Sequence, residues 1–233
     1  MDDVVRLRSA VCLLGRFPAL AGVDLVVPKG ETLLVRGANG AGKTTLLRAL
    51  AGLVPVVGGE AQVLGCDLRR DRRAVRRRVG LLGHSAALYD DLTVADNLRF
   101  WSRAARSPTP DLAGAMARLG LDGRLAGVPA ARLSAGQRRR SALAVLVARS
   151  PELWLLDEPH AGLDAAGRDV LDDLVRQVTA AGATVVLASH ELDRAAALAT
   201  RSVTVAGGRM VDDGACVSDI VEGPSQPEPV HVA

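Results

Sequence analysis

The octapeptide Gly37-Ala38-Asn39-Gly40-Ala41-Gly42-Lys43-Thr44 constrains this chain more than any other feature, because of what flanks it. The apolar run Leu33-Leu34-Val35 precedes it, and Thr45-Leu46-Leu47-Arg48-Ala49-Leu50 follows. That is a strand, a glycine-rich loop and a helix in the order a phosphate-binding loop requires. Glycines let backbone N–H groups approach an anion closely, and the positive end of the following helix adds to the field. Lys43 offers a charge to β and γ phosphates, and the Thr44 hydroxyl offers an oxygen to Mg2+. A glycine-rich turn can simply join a strand to a helix, but here every defining position is filled in the right context. Lysine stands only at 29 and 43, with arginine at every other basic position, so the lysine in the loop stands out.

A second apolar run, Leu153-Trp154-Leu155-Leu156, ends abruptly in Asp157-Glu158-Pro159. Two acids at the carboxyl end of a buried strand stand where open α/β sheets bind ligands. Asp157 is placed to hold Mg2+, and Glu158 to act as a general base on an attacking water. A solvated pair capping a turn is the commoner fate of such a tripeptide. The glycine-rich loop upstream reverses that preference.

Runs rich in β-branched residues at 4–11, 23–27, 32–35, 153–156, 184–187 and 202–205 read as strands. Helical patterns lie between them. At 169–181, for example, Val170, Leu171, Leu174, Val175 and Val178 repeat at helical spacing and Gly182 supplies a stop. The alternation predicts an α/β core with a mostly parallel sheet. The first two strand runs, joined through Gly15, Pro18 and Gly22, come before any helix and predict a small antiparallel N-terminal layer. From about 92 to 150 the pattern turns helical, punctuated by Pro108, Pro110, Gly120, Gly123 and Pro129, which predicts an inserted helical subdomain. Residues 222–233, with Pro224, Pro227 and Pro229, read as a disordered tail, leaving 1–221 as a single domain.

Bulk composition narrows the function classes. With 233 residues, 48% of them hydrophobic, the chain can bury one sizeable core. A net charge of +3 creates no field that compels a nucleic-acid partner, and aromatics at 2% offer little for stacking bases. Arg69, Arg70, Arg72, Arg73, Arg76, Arg77 and Arg78 could contact phosphates, but such a run is usually a solvated face. Cys12, Cys66 and Cys216 have neither metal nor redox spacing and read as reduced thiols in a cytosolic setting. No secretory signal is expected at the start, and no apolar run reaches the roughly 20 residues of a membrane span.

Just before the carboxylate strand stands Leu133-Ser134-Ala135-Gly136-Gln137, which resembles the signature motif of ABC ATPases. The phosphate loop, this pentapeptide and Asp157-Glu158 occur in that family's order, and the likeness covers roughly 4–214. The resemblance implies the family's fold, an ABC-type P-loop NTPase core, and ATP as substrate with Mg2+. It implies that Ala161-Gly162-Leu163-Asp164 is the D-loop, with Asp164 near the nucleotide, and that Ser189-His190-Glu191 is the switch, with His190 sensing the γ-phosphate. It also implies a head-to-tail dimer with a second copy, in which Ser134 and Gly136 cover the partner's ATP. A hydroxyl, backbone N–H groups and a helix N-terminus suit that task, and a plain Ser helix cap is compatible with it. Integral membrane permease subunits are the implied partners, at the cytoplasmic face of the cell membrane, with no nucleic acid. His160 and His231 receive no role.

Departures from the family pattern sharpen the reading. The family places glutamine near residue 84, where this chain has Leu82-Gly83-His84-Ser85; imidazole is a poor partner for a hard cation, so contact with phosphate or water and plain packing both stay open for His84. Leu14 stands where an aromatic residue usually stacks on adenine, with Phe17 nearby as a substitute. Tyr89, Phe100 and Trp101 fall in the region that meets the membrane subunit in the family, and either an interface or burial in the helical subdomain accounts for them. Gly83-His84, the alanine in the signature and the short chain are most similar to ATPase subunits of haem exporters in cytochrome c biogenesis. A generic drug, lipid or ion exporter is the alternative.

Overall fold

A computed structural model describes residues 3–84 and 87–216, with side chains to residue 211. The tail expected at 222–233, and Ser85, lie outside the described residues.

A long antiparallel hairpin opens the chain: β1 (Asp3–Leu14) and β2 (Phe17–Pro28) turn at Gly15-Arg16 and pair from Leu14↔Phe17 to Asp3↔Pro28. Further along, β4 (Val56–Val63) adds to the free side of β1 and β5 (Cys66–Asp67) to β4, closing a four-stranded antiparallel sheet in the order β2-β1-β4-β5. The second sheet collects β3 (Thr32–Arg36), β6 (Val79–Leu82), β7 (Leu153–Asp157), β8 (Thr184–Ala188), β9 (Arg201–Ala206) and β10 (Arg209–Cys216). Its order is β10-β9-β3-β8-β7-β6, parallel throughout except for the antiparallel edge strand β10.

The central strands are apolar at nearly every position because both of their faces are covered. Side chains alternate across a strand, so each one contributes to two cores. Leu33, Val35, Leu153, Leu155, Val186 and Ala188 face the antiparallel sheet and helix α1 (Lys43–Leu50), which packs between the two sheets. Leu34, Trp154, Leu156, Val185 and Leu187 face the other way, toward the helical side. Each leucine taken fully out of water there contributes about 2 kcal/mol before entropy is subtracted.

After the short α2 (Leu68–Asp71), the helical side is built from α3 (Val94–Ala105), α4 (Leu112–Arg118), α5 (Ala135–Arg149) and α6 (Ala165–Ala180), with the short α7 (Leu192–Ala196) after β8. Four of these helices begin at a side-chain cap: Thr93, Asp111, Ser134 and Asp164 each accept a backbone N–H from the first turn. At α5 the cap is reciprocal, Ser134 Oγ accepting from Gln137 N at 3.2 Å while Gln137 Oε1 accepts from Ser134 N at 2.9 Å. Helix α6 starts four residues before the apolar periodicity does, because Asp164 accepts from Gly167 N at 2.8 Å. The arginine run at 69–78 is exposed but engaged with its own chain: Arg69 donates to Gly59 O, Arg72 to Leu53 O, Arg76 to Gly52 O, and Arg78 pairs with Glu152.

Candidate functional site

The loop from Gly37 to Gly42 leaves the end of β3 and enters α1 through backbone that only glycine tolerates. Gly37 has φ 141° and a Cβ there would meet Val205 O at 2.2 Å; at Gly42, φ 116°, it would meet Ala19 O at 2.8 Å. Helix α1 differs from its better capped neighbours: Gly42 supplies no side-chain cap and the first turn holds no acid. Its first N–H groups are therefore available to an anion, with the helix dipole behind them. Lys43 is buried and folds back over the loop, its Nζ donating to Gly37 O at 2.7 Å and Ala38 O at 3.1 Å. Asn39 and Gly40 form the exposed rim, Ala41 is buried, and Thr45 is buried behind Lys43 and Thr44.

Thr44 reaches across to the next strand but one. Its Oγ1 donates to Asp157 Oδ2 at 2.8 Å, joining the helix start to the carboxyl end of β7. A hydroxyl and a carboxylate side by side are hard oxygen donors, the chemistry Mg2+ selects, and this cation commonly binds through one or two carboxylates plus substrate phosphates. Among the described residues no group of three or more His, Cys, Asp or Glu could form an all-protein metal cage. Thr44 and Asp157 thus fit Mg2+ in company with a phosphate.

Glu158 adopts φ 47°, a left-handed conformation that costs a non-glycine residue free energy. Its neighbours hold it there. Its N–H donates to Ala188 O at 2.8 Å at the end of β8. The carboxylate accepts from His190 twice, from the backbone N–H at 3.1 Å and from Nδ1 at 2.6 Å. His190 thus sits on Glu158 itself, a contact that sequence reading, which paired it with the γ-phosphate, did not foresee. A ring nitrogen facing a carboxylate is the protonated one, so Nδ1–H donates.

Ser134 is exposed at the start of α5, and Gly136 lies against Gly162 of the 161–164 loop, where an added Cβ would meet Gly162 O at 3.2 Å. Ser134 Oγ uses a lone pair on Gln137 N and keeps its O–H free to donate, so capping and anion binding coexist. Among the described residues no hydrogen bond joins Ser134 or Gly136 to the phosphate loop of the same chain. His84 is exposed just beyond β6, next to Gly83, and is not a core residue. Leu14 and Phe17 face each other across the hairpin end, 54% and 80% exposed, while Ala19 of the same hairpin lies against Gly42.

Sequence reading missed Arg139. It lies on the buried face of α5 with Ala142, Leu143 and Leu146, and a charge at that helical spacing was the available signal. Its guanidinium donates to Gly83 O, Asp157 O, Glu158 O and Pro159 O. Burial pulls its pKa down, and the nearby Asp157 and Glu158 carboxylates push it back up. His160 is buried, its Nε2 2.8 Å from Asp172 Oδ1. Burial pushes the Cys12 thiol up to about 11, so it stays protonated and inert.

Residues 20–161 match the family described as ABC transporter, more than half of the chain. The chain belongs to the ABC transporter family. Its membership makes it an ATPase. This ABC cassette is 41% identical over 194 residues to the cytochrome c biogenesis ATP-binding export protein CcmA of Paramagnetospirillum magneticum, covering 81% of this chain and 88% of that one. It is 43% identical over 186 residues to the protein of the same name from Bordetella bronchiseptica, covering 79% and 83%. Among solved structures, a dimeric ATP-binding cassette in a post-hydrolysis state with ADP and Pi superposes with TM-score 0.82 at 23% identity, covering 91% of this chain and 98% of that one. At that identity the likeness is one of fold. No described helix of the cassette is long and apolar enough to cross a membrane.

Proposed function

We propose that this chain is the ATP-hydrolysing subunit of an exporter serving cytochrome c biogenesis, with haem as the substrate moved by its membrane partners. The observation that carries the ATPase half is the 2.8 Å contact between Thr44 and Asp157, which puts the phosphate loop and the acidic strand end at one point. The export half rests on the relatives at about 40% identity whose names carry that pathway.

In this reading Lys43 leaves its loop carbonyls for the β and γ phosphates, helped by the free N–H groups at the start of α1. Thr44 and Asp157 would hold Mg2+, which when bound would offset phosphate charge. Glu158 takes a proton from the attacking water, and His190 fixes its carboxylate by two hydrogen bonds. A second copy packs head to tail, so that Ser134 Oγ–H and the N–H of Gly136 meet the partner's γ-phosphate, with Asp164 beside the shared interface. ATP then favours the closed dimer because it binds that form better, and closure drives the permease at the cytoplasmic face of the membrane. Part of the arginine run, Arg69, Arg72 and Arg76, is engaged with its own backbone, which weighs against a nucleic-acid partner.

Tyr89, Phe100 and Trp101 form the surface offered to that permease. Tyr89 and Phe100 meet edge to face at 4.7 Å and Tyr89 stacks on Trp101 at 5.9 Å, yet Tyr89 and Phe100 remain 48% and 41% exposed. Buried Asn97 fixes the cluster from beneath, exchanging hydrogen bonds with Tyr89 N and Tyr89 O. Rigid, exposed aromatics of this kind anchor interfaces. The double variant Tyr89→Ala, Trp101→Ala should lose at least about tenfold in affinity for membrane subunits expressed with it, while its own ATP turnover stays within about twofold. Unchanged co-purification would remove the aromatic surface from the interface.

The cargo assignment is tested in a bacterium whose own cytochrome c biogenesis export ATPase has been deleted. Expression of this chain, with its membrane subunits, should restore covalent haem on c-type cytochromes in a peroxidase-stained gel, and Lys43→Ala should not. Restored drug or lipid export without holocytochrome would favour a generic exporter.

A further inference from the structure

Arg139 directs all three of its guanidinium nitrogens at backbone carbonyls of two other segments. Nη1 donates to Gly83 O at 2.5 Å, Nη2 to Asp157 O at 3.0 Å and Glu158 O at 2.6 Å, and Nε to Pro159 O at 3.4 Å. At 6% exposure it has almost no water, and among the described residues no carboxylate side chain forms an ion pair with it. Taking a cation out of water is costly, and an apolar side chain would fill this position on the buried face of α5 more cheaply. The planar fork does something an apolar residue cannot: it grips carbonyls at the ends of β6 and β7 at once.

The gripped segments are those that carry the chemistry. Glu158 is held in its left-handed conformation by Ala188 O on its N–H, by His190 on its carboxylate, and by Ala161 N–H at 3.1 Å and Arg139 on its carbonyl. Two of these come from β8 and the residues after it. Among these tethers Arg139 alone comes from α5, five residues after the Ser134 cap, and it also holds the residue before His84.

The geometry points to Arg139 as a positioning residue for ATP hydrolysis: it locks the backbone of Glu158 and the Gly83-His84 corner onto the helix that begins at Ser134. The carboxylate of the base and the corner beyond β6 then follow any displacement of that helix. A partner's nucleotide docking on Ser134 is felt at Glu158 through one rigid turn and a half of helix. This inference rests on Glu158 being the base.

A double-mutant cycle on the full-length protein tests it, with single-turnover ATP hydrolysis and equilibrium ATP binding as readouts. Arg139→Gln should lower kcat about tenfold or more with KM and ATP affinity within about twofold. Arg139→Lys, which keeps the charge but not the fork, should fall between this variant and the parent. In a Glu158→Gln background the same Arg139→Gln change should cost nothing further, because the residue it acts through is already disabled. An equal fold-loss in both backgrounds, or a raised KM with kcat unchanged, would overturn the proposal. So would failure of both Arg139 variants to fold, which would assign the residue to stability. If Glu158→Gln alone leaves turnover intact, the base assignment fails instead, and the two failures are told apart.

Discussion

Replacing Lys43 by alanine is expected to lower ATP hydrolysis by roughly 100- to 1,000-fold, with ATP affinity falling as well. The ammonium is buried, sits at the mouth of the loop and is the one side-chain cation the loop contains. Its two present partners are neutral carbonyls of Gly37 and Ala38, which a phosphate oxygen outcompetes because it carries charge. Charge developing on the transferred phosphoryl group in a site shielded from water is stabilised mainly by such fixed donors, and removing one commonly costs about 100- to 1,000-fold in kcat. The loop should survive the change, since its shape comes from glycine backbone and β3–α1 packing. Phosphate release measured on the purified variant checks this; turnover near the parent's would exclude the loop as the phosphate site.

Glu158→Gln should separate binding from chemistry. The amide oxygen can still accept from His190 N and Nδ1, so the geometry of the strand end is kept while the proton acceptor is lost. Loss of a general base costs about 100- to 10,000-fold. ATP should remain bound, and the ATP-loaded protein should accumulate as a dimer in size-exclusion chromatography because hydrolysis no longer reopens it. Unchanged turnover would place the base elsewhere. A monomer under saturating ATP would contradict the head-to-tail arrangement while leaving the phosphate site untouched.

Much of the fold was legible because its central strands are apolar on both faces and end in functional punctuation. Leu33-Leu34-Val35 runs into glycines, and Leu153-Trp154-Leu155-Leu156 runs into acids, so the strand and its site announce one another. Strand β4 was harder to see, since Gly58, Gly59 and Glu60 interrupt its apolar pattern; Gly59 is there because an added Cβ would strike Ser9 O at 2.2 Å on β1. Strand β10 was hidden for a related reason, as Asp212, Asp213 and Gly214 suit an edge strand and not a buried one. In the site, Thr44 and Asp157 could be brought together from motif order alone, as donors to one cation. The grip of Arg139 on Glu158 could not, because it joins α5 to β7 through backbone oxygens, and carbonyls have no sequence signature. The same is true of His190, whose partner depends on where the end of β8 lies relative to β7.

The sharing of one sheet by two cores has a consequence for how the molecule comes apart. Leu33 belongs to one cluster and Leu34 to the other, as do Leu155 and Trp154. Melting either cluster strips one side of the same strands and leaves the opposite side without support. The antiparallel layer and the helical side should therefore be lost in a single cooperative transition, and neither is suited to be excised and studied as an autonomous fragment.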